Sequence, residues 1–164
     1  ILENMSLADN KGKPFGLSFA LNKKRFDNYR EQLASLGLGL EDKLHVKMGS
    51  LSGGQRQAVS LLMATMTPID FLILDEHTAA LDPKTAAKVL ALTEEITAEE
   101  KLTTIMITHN MKDAIHYGNR LVMMHEGRVV YDVSGEEKSA LTVEDLLKKF
   151  EQTAGMVNDR LILA

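Results

Sequence analysis

Cysteine is absent from the 164 residues, which excludes disulfides, thiol nucleophiles and thiolate metal sites. That composition suits the cytoplasm. No apolar run approaches the ~18 residues that a membrane span requires, and no charged-then-apolar leader stands at the start, so neither an anchor nor a secretory signal is expected. Positive charge is not in excess: 23 acidic residues against 19 basic ones leave a net charge of −4, giving no electrostatic case for nucleic acid or anionic lipid. The local basic run Lys23-Lys24-Arg25 reads as a solvated helix face. Internal repeats and low-complexity tracts are missing as well. The chain opens on Ile1, not methionine, and is expected to be a piece of a longer polypeptide. What is present is an ordinary globular balance, 45% apolar and 26% charged, in a chain long enough to enclose a core.

The periodicities divide the chain into a helical front portion and an α/β remainder. In "LNKKRFDNYREQLASLGLG", Phe26, Tyr29 and Leu33 fall on one face of a helix that Gly37 and Gly39 stop. "LEDKLHVKMGS" is polar and leads by a turn to a double glycine. From Gln55 to Met66, Ala58, Leu61, Leu62 and Thr65 keep helical spacing, and Pro68 follows. The period then changes. "FLIL" (71–74) and "TTIMIT" (103–108) are short uninterrupted runs, as expected of parallel strands buried on both faces. Between them, Asp82 caps and Pro83 opens a helix whose buried stripe is Val89, Leu92 and Ile96, which makes a βαβ unit. A short helix from Met111 to Tyr117, with Asn110 as cap and Gly118 as stop, precedes "LVMMHEGRVVYDV", a hairpin turning at Glu126-Gly127. Thr142 and Asp145 start a helix expected to bury Leu146, Leu147 and Phe150. The stretch from Gly155 to Ala164 carries no clear signal.

Two stretches carry chemistry. α/β proteins place ligands at strand carboxyl ends, where Asp75 and Glu76 follow "FLIL" and His109 follows "TTIMIT". A carboxylate there suits magnesium, an ion that prefers oxygen ligands and keeps part of its water shell. A second carboxylate is placed to take a proton from an attacking water. "LSGGQ" (51–55) sets two glycines at a helix start, where first-turn N–H groups favour an anion. Taken singly, each has an ordinary alternative: a serine-capped turn, solvated carboxylates, a structural histidine. A loop of the form G-x-x-x-x-G-K-[ST], which would cradle phosphates, occurs nowhere in the chain.

Taken together, "LSGGQRQ", "FLILDEHTAALDP" and "MITHN" resemble, in order and spacing, the signature, Walker B segment, D-loop and H-loop of ATP-binding cassette (ABC) ATPases. "ILENMSLA" is similar to the stretch after the family's Q-loop, and "GNRLVMMHEGRVVYD" to its terminal hairpin. The resemblance implies an α/β, P-loop NTPase-like fragment: a helical signature subdomain over 1–68, then the second half of the ATPase core over 69–164, with a partial, mostly parallel sheet, flanking helices, a terminal hairpin and a C-terminal helix. It also implies roles. Leu51, Ser52, Gly53, Gly54 and Gln55 would contact the γ-phosphate of ATP bound to the opposite subunit. Asp75 would associate with Mg2+, Glu76 would act as general base, Asp82 would align the opposing site, and His109 would stand near the γ-phosphate. His77 occupies a position where these proteins often carry another residue and receives no catalytic role.

The function so implied is that of the ATP-binding subunit of a transporter: a head-to-tail dimer around ATP and Mg2+, bound to transmembrane permease subunits on the cytoplasmic face of the membrane. "EHTAALDPKTA" with "THNM" is most similar to importer subunits for amino-acid-like solutes. A soluble ABC ATPase of DNA repair or translation is the alternative, and a non-catalytic interaction module is another. The segment alone, lacking the phosphate loop, is expected to be inactive and to self-associate through unpartnered strands.

Overall fold

Apolar spacing at i, i+3 and i+7 buries one side of a helix, and in the computed structural model, which describes residues 1–12 and 23–162, Tyr29 and Leu33 are fully enclosed while Phe26 packs at the margin. Two compact units form, Ile1–Ile107 and Thr108–Ala164.

In the first unit, α1 (Leu2–Asp9) and α2 (Lys23–Ser35) share one apolar cluster with α3 (Gly53–Thr65). The Tyr29 hydroxyl donates to the Asp9 carboxylate at 2.9 Å. Burial and that carboxylate hold the phenol above its usual pKa, which keeps the donor proton in place. Gly37 and Gly39 end α2 with φ of +62° and +64°, the left-handed region that favours glycine. The polar segment that follows makes two single 3₁₀ turns, Glu41–Lys43 and Met48–Ser50. α3 presents Ala58 and Val59 to this cluster and Leu61 to a second one, formed with Leu72 and Leu74 of β1 (Phe71–Asp75).

β1 pairs in parallel with β2 (Thr103–Ile107), with Ile73 opposite Ile105 and Asp75 opposite Ile107. α4 (Pro83–Glu99) is the crossover. Asp82 caps it, accepting the Thr85 N–H at 3.1 Å, and Val89 is buried as the spacing requires. One expectation fails here. The apolar strands are not buried on both faces: Leu72 and Leu74 are covered, whereas Phe71 is 46% and Ile73 61% exposed, with Ile105 and Ile107 also open beside them. The reason is the sheet's width. Among the described residues it has two strands, and Leu61, Leu92 and Ile96 cover only the Leu72–Leu74 face.

The second unit begins with α5 (Met111–His116), capped by Asn110, whose side-chain oxygen accepts from the Lys112 and Asp113 amides. β3 (Arg120–His125) and β4 (Arg128–Ser134) form the antiparallel hairpin. It turns at Glu126 and Gly127, both at positive φ, the geometry that matches the strands' right-handed twist. Arg120 grips Asp132 across it with two hydrogen bonds, 2.8 and 2.5 Å. A short helix the sequence did not announce, α6 (Gly135–Ser139), buries Lys138, whose ammonium donates to the Ile115 carbonyl in the last turn of α5. Burial lowers that lysine's pKa. α7 (Val143–Ile162) starts at the reciprocal Thr142–Asp145 box and runs through most of the stretch that carried no signal. Leu146 joins Leu121 and Val133 in the core, but Leu147 and Phe150 remain 43% and 40% exposed, contrary to expectation. Consecutive helical positions point about 100° apart, so the hairpin covers one of the two leucines. Phe150 packs edge-on against His125 at the margin.

Candidate functional site

Ser52 ends an extended segment and begins α3. Its hydroxyl accepts the Gln55 N–H at 3.3 Å, and the Gln55 side-chain oxygen accepts the Ser52 N–H at 3.3 Å, a reciprocal capping box. The same Gln55 amide donates to the Leu38 carbonyl at 3.2 Å, and Arg56 donates to the Leu51 carbonyl at 3.3 Å. With Leu51 buried, the turn is fastened on three sides. Helix geometry leaves the first-turn amides of Gly53 and Gly54 without intrahelical partners, so they are the natural donors to an anion.

The glycines have a second reason to be glycines. A Cβ on Gly54 would stand 2.0 Å from the Thr85 methyl, and one on Gly53 would stand 2.9 Å from a Leu81 methyl. Both neighbours belong to the stretch around Asp82. The 51–55 turn and the start of α4 are therefore packed backbone against side chain within this chain. Beside the junction runs an open cleft of ≈ 480 Å³, whose lining includes Leu36, Leu38, Gln55, Lys84 and Lys88. It does not reach Asp75 or Glu76, which lie exposed at the end of β1.

β1 delivers Asp75 opposite Ile107, and the chain then turns sharply. Glu76 adopts φ +43°, a conformation costly for a residue with a Cβ. Its N–H donates to the Ile107 carbonyl at 2.9 Å and its carbonyl accepts the Ala79 N–H at 3.0 Å. The next residue, His77, bonds through Nε2 to the Thr93 hydroxyl on α4 at 3.2 Å. Asp82 closes the stretch, and hydrogen bonds from Thr85 hold its carboxyl below the ordinary 3.8. His109 lies in the second unit, exposed, just before the Asn110 cap of α5. The structure thus brings together Asp75 with Glu76, and the 51–55 turn with the segment around Asp82, all inside the first unit.

Among the described residues no group of three or more histidine and acidic side chains gathers as a metal cage. That donor set still fits magnesium, which commonly takes one or two carboxylates and fills its remaining positions with water and phosphate oxygens. Asp75, an exposed oxygen donor at a strand end, is suited to that share. Sequence reasoning missed Leu81, Thr85, Thr93 and Leu38. The signal for Thr85 was in view, three residues after a capping aspartate; the others become visible only through packing.

The family model described as "ABC transporter" matches residues 1–79. A tyrosine transport ATP-binding protein of Clostridioides difficile is 50% identical over 151 residues, covering 92% of this chain and 60% of that protein. The chain belongs to the ABC transporter family. A methionine import ATP-binding protein, MetN, of Streptococcus thermophilus is 32% identical over 165 residues, covering 98% of this chain and 46% of its own length. Relatives of the ABC transporter family are thus matched over about half to three-fifths of their length. Its ATP-binding cassettes also share the α/β architecture. One solved ABC cassette superposes with a TM-score of 0.70 at 23% identity, covering 91% of this chain and 61% of that one. A dimeric cassette in a post-hydrolysis state, bound to ADP and Pi, gives 0.65 at 28% identity, covering 81% and 55%. The matched 1–79 segment takes in Leu51–Gln55, Asp75 and Glu76 and stops short of Asp82 and His109.

Proposed function

We propose that this chain supplies one half of a composite ATP-hydrolysing site that powers a solute transporter. Residues 1–68 act as the signature-bearing helical subdomain and 69–164 as the second half of the catalytic core. The 51–55 turn presents the Gly53 and Gly54 amides and the Ser52 hydroxyl to the γ-phosphate of ATP held by the phosphate loop of a second, head-to-tail subunit. At the site where the full polypeptide's own phosphate loop holds ATP, Glu76 takes a proton from the water that attacks the γ-phosphorus. The bond to the bridging oxygen breaks, and ADP leaves with phosphate released. Asp75 stands beside Mg2+, which supplies charge neutralisation at the phosphate oxygens when bound. Asp82, kept ionised by its capping bonds, aligns the opposing site, and His109 donates toward the γ-phosphate. Transmembrane permease subunits at the cytoplasmic face hold the pair at the membrane. The names of the relatives, tyrosine transport and methionine import, favour an amino-acid-like solute.

The observation that carries the proposal is the pairing of two exposed carboxylates at the end of a parallel strand with a capped double-glycine helix start in one compact unit. The test is ATP turnover by the polypeptide that joins this segment to its phosphate loop. General-base removal in Glu76→Gln is expected to lower kcat by about 100-fold or more while ATP binding persists. A normal turnover rate in Glu76→Gln would remove Glu76 from its role and the proposal with it.

A further inference from the structure

The residue in the strained turn and the residue after it are tied to different elements. Glu76, at φ +43°, is held on one side by its N–H bond to Ile107 of β2. On the other side stands His77, whose ring reaches sixteen residues along the chain to Thr93. Thr93 is buried, and its hydroxyl proton is donated to the Val89 carbonyl at 2.8 Å, one turn earlier in α4. A carbonyl can only accept, so the Thr93 oxygen is left as the acceptor for His77, and the Nε2–H of the imidazole is the donor. A polar anchor of this kind, set into the apolar stripe of a crossover helix, is a strong tether. Leaving either group unpaired in that place would cost its desolvation.

We infer that His77 and Thr93 are positioning residues that hold Glu76 in its left-handed conformation, and hence aim its carboxylate; this rests on the reading of Glu76 as the water-activating base. A non-glycine residue persists in a sparsely populated conformation only where its surroundings over-determine it. Here the surroundings include the backbone bond to β2, the Ala79 N–H bond to the Glu76 carbonyl and the side-chain bond to α4. Releasing the bond to α4 loosens the turn toward an ordinary conformation, which swings the carboxylate away from the water. ATP binding does not depend on that aim, so the loss falls on kcat and leaves KM in place.

The experiment measures steady-state ATP hydrolysis and thermal melting for four single variants in the polypeptide that carries the phosphate loop. Thr93→Val keeps the shape and removes the acceptor; His77→Phe keeps a ring and removes the donor. Thr93→Ser and His77→Gln keep the hydroxyl and an N–H donor. Both deleting variants are expected to lower kcat by about tenfold, the scale of a misaimed catalytic group, with KM within about twofold of wild type. Both conservative variants are expected to restore the rate. The double variant His77→Phe/Thr93→Val is expected to be no slower than either single one, because the two groups act as one tether. Should Thr93→Val fail to fold, His77→Phe, at a half-buried position, carries the comparison alone. Wild-type kcat in the deleting variants, or an equal loss in Thr93→Ser, overturns the inference while leaving Glu76 as base. A wild-type rate in Glu76→Gln overturns both.

Discussion

Gly54 has no room for a methyl group. The Thr85 γ-methyl occupies the place at 2.0 Å, so Gly54→Ala forces either α4 or the helix start to move, an overpacking of about 1–3 kcal/mol. Alanine is otherwise the better helix former, and any measured loss therefore reports the collision. Thr85→Ala takes the colliding methyl away, and the next neighbour, the residue-85 Cβ at 3.5 Å, is in ordinary contact. The double variant Gly54→Ala/Thr85→Ala is accordingly expected to recover most of the stability lost by Gly54→Ala, as read by urea unfolding. A double variant as unstable as the single one would contradict the packing. If stability returns and ATP turnover does not, the second glycine also serves the approach of a phosphate. The two reasons for a glycine at this position are separable in that one pair of measurements.

Helix starts and the hairpin lean on exposed aspartates, and this gives the elements a common acid sensitivity. Asp82 at α4 and Asp145 at α7 are held below the ordinary 3.8 by hydrogen bonds from Thr85 and Thr142, and Asp132 by its hydrogen bonds from Arg120. A carboxyl whose folded pKa lies below its unfolded value stabilises the fold above the unfolded value, and the contribution is lost as pH falls through the folded one. Thermal melting is therefore expected to drop as pH is lowered below about 4, and Asp82→Asn with Asp145→Asn to flatten that slope. A slope unaltered in the double variant would show that other groups govern it. These capping devices were also what sequence made legible. Asp82-Pro83, Asn110, Thr142 with Asp145 and the Glu126-Gly127 turn each state a local backbone requirement in residue types, so the starts of α4, α5 and α7 and the hairpin turn could be read directly, while the end of α7 could not. Leu147, Phe150, Phe71 and Ile73 could not be placed the same way. Their burial depends on what covers them, and periodicity describes only which side of an element a residue lies on. α6 escaped notice because five residues hold too few turns to show a period.

At the scale of the molecule, the first unit carries a sheet face of a kind that water does not tolerate well. Phe71, Ile73, Ile105 and Ile107 lie on the same face of neighbouring parallel strands, Ile73 directly opposite Ile105, and each is roughly half or more exposed. Contiguous apolar surface beside strand edges favours association with whatever presents a matching surface, and in a solution of this segment that is a second copy. The chain studied alone is therefore expected to sediment as concentration-dependent oligomers. Ile73→Lys with Ile105→Lys places two like charges opposite each other in the middle of that face, where burial against a second copy would strip both of water. The side chains already point to solvent, so the substitution leaves the folded unit's own packing nearly unaltered and acts on association. A shift to monomer at equal concentration, with stability lowered by no more than the ~1 kcal/mol of a like-charge cross-strand pair, is the expected result. A wild-type chain that is monomeric over the whole concentration range would mean that this face is satisfied from within the chain and that the strands were composed for no further neighbour.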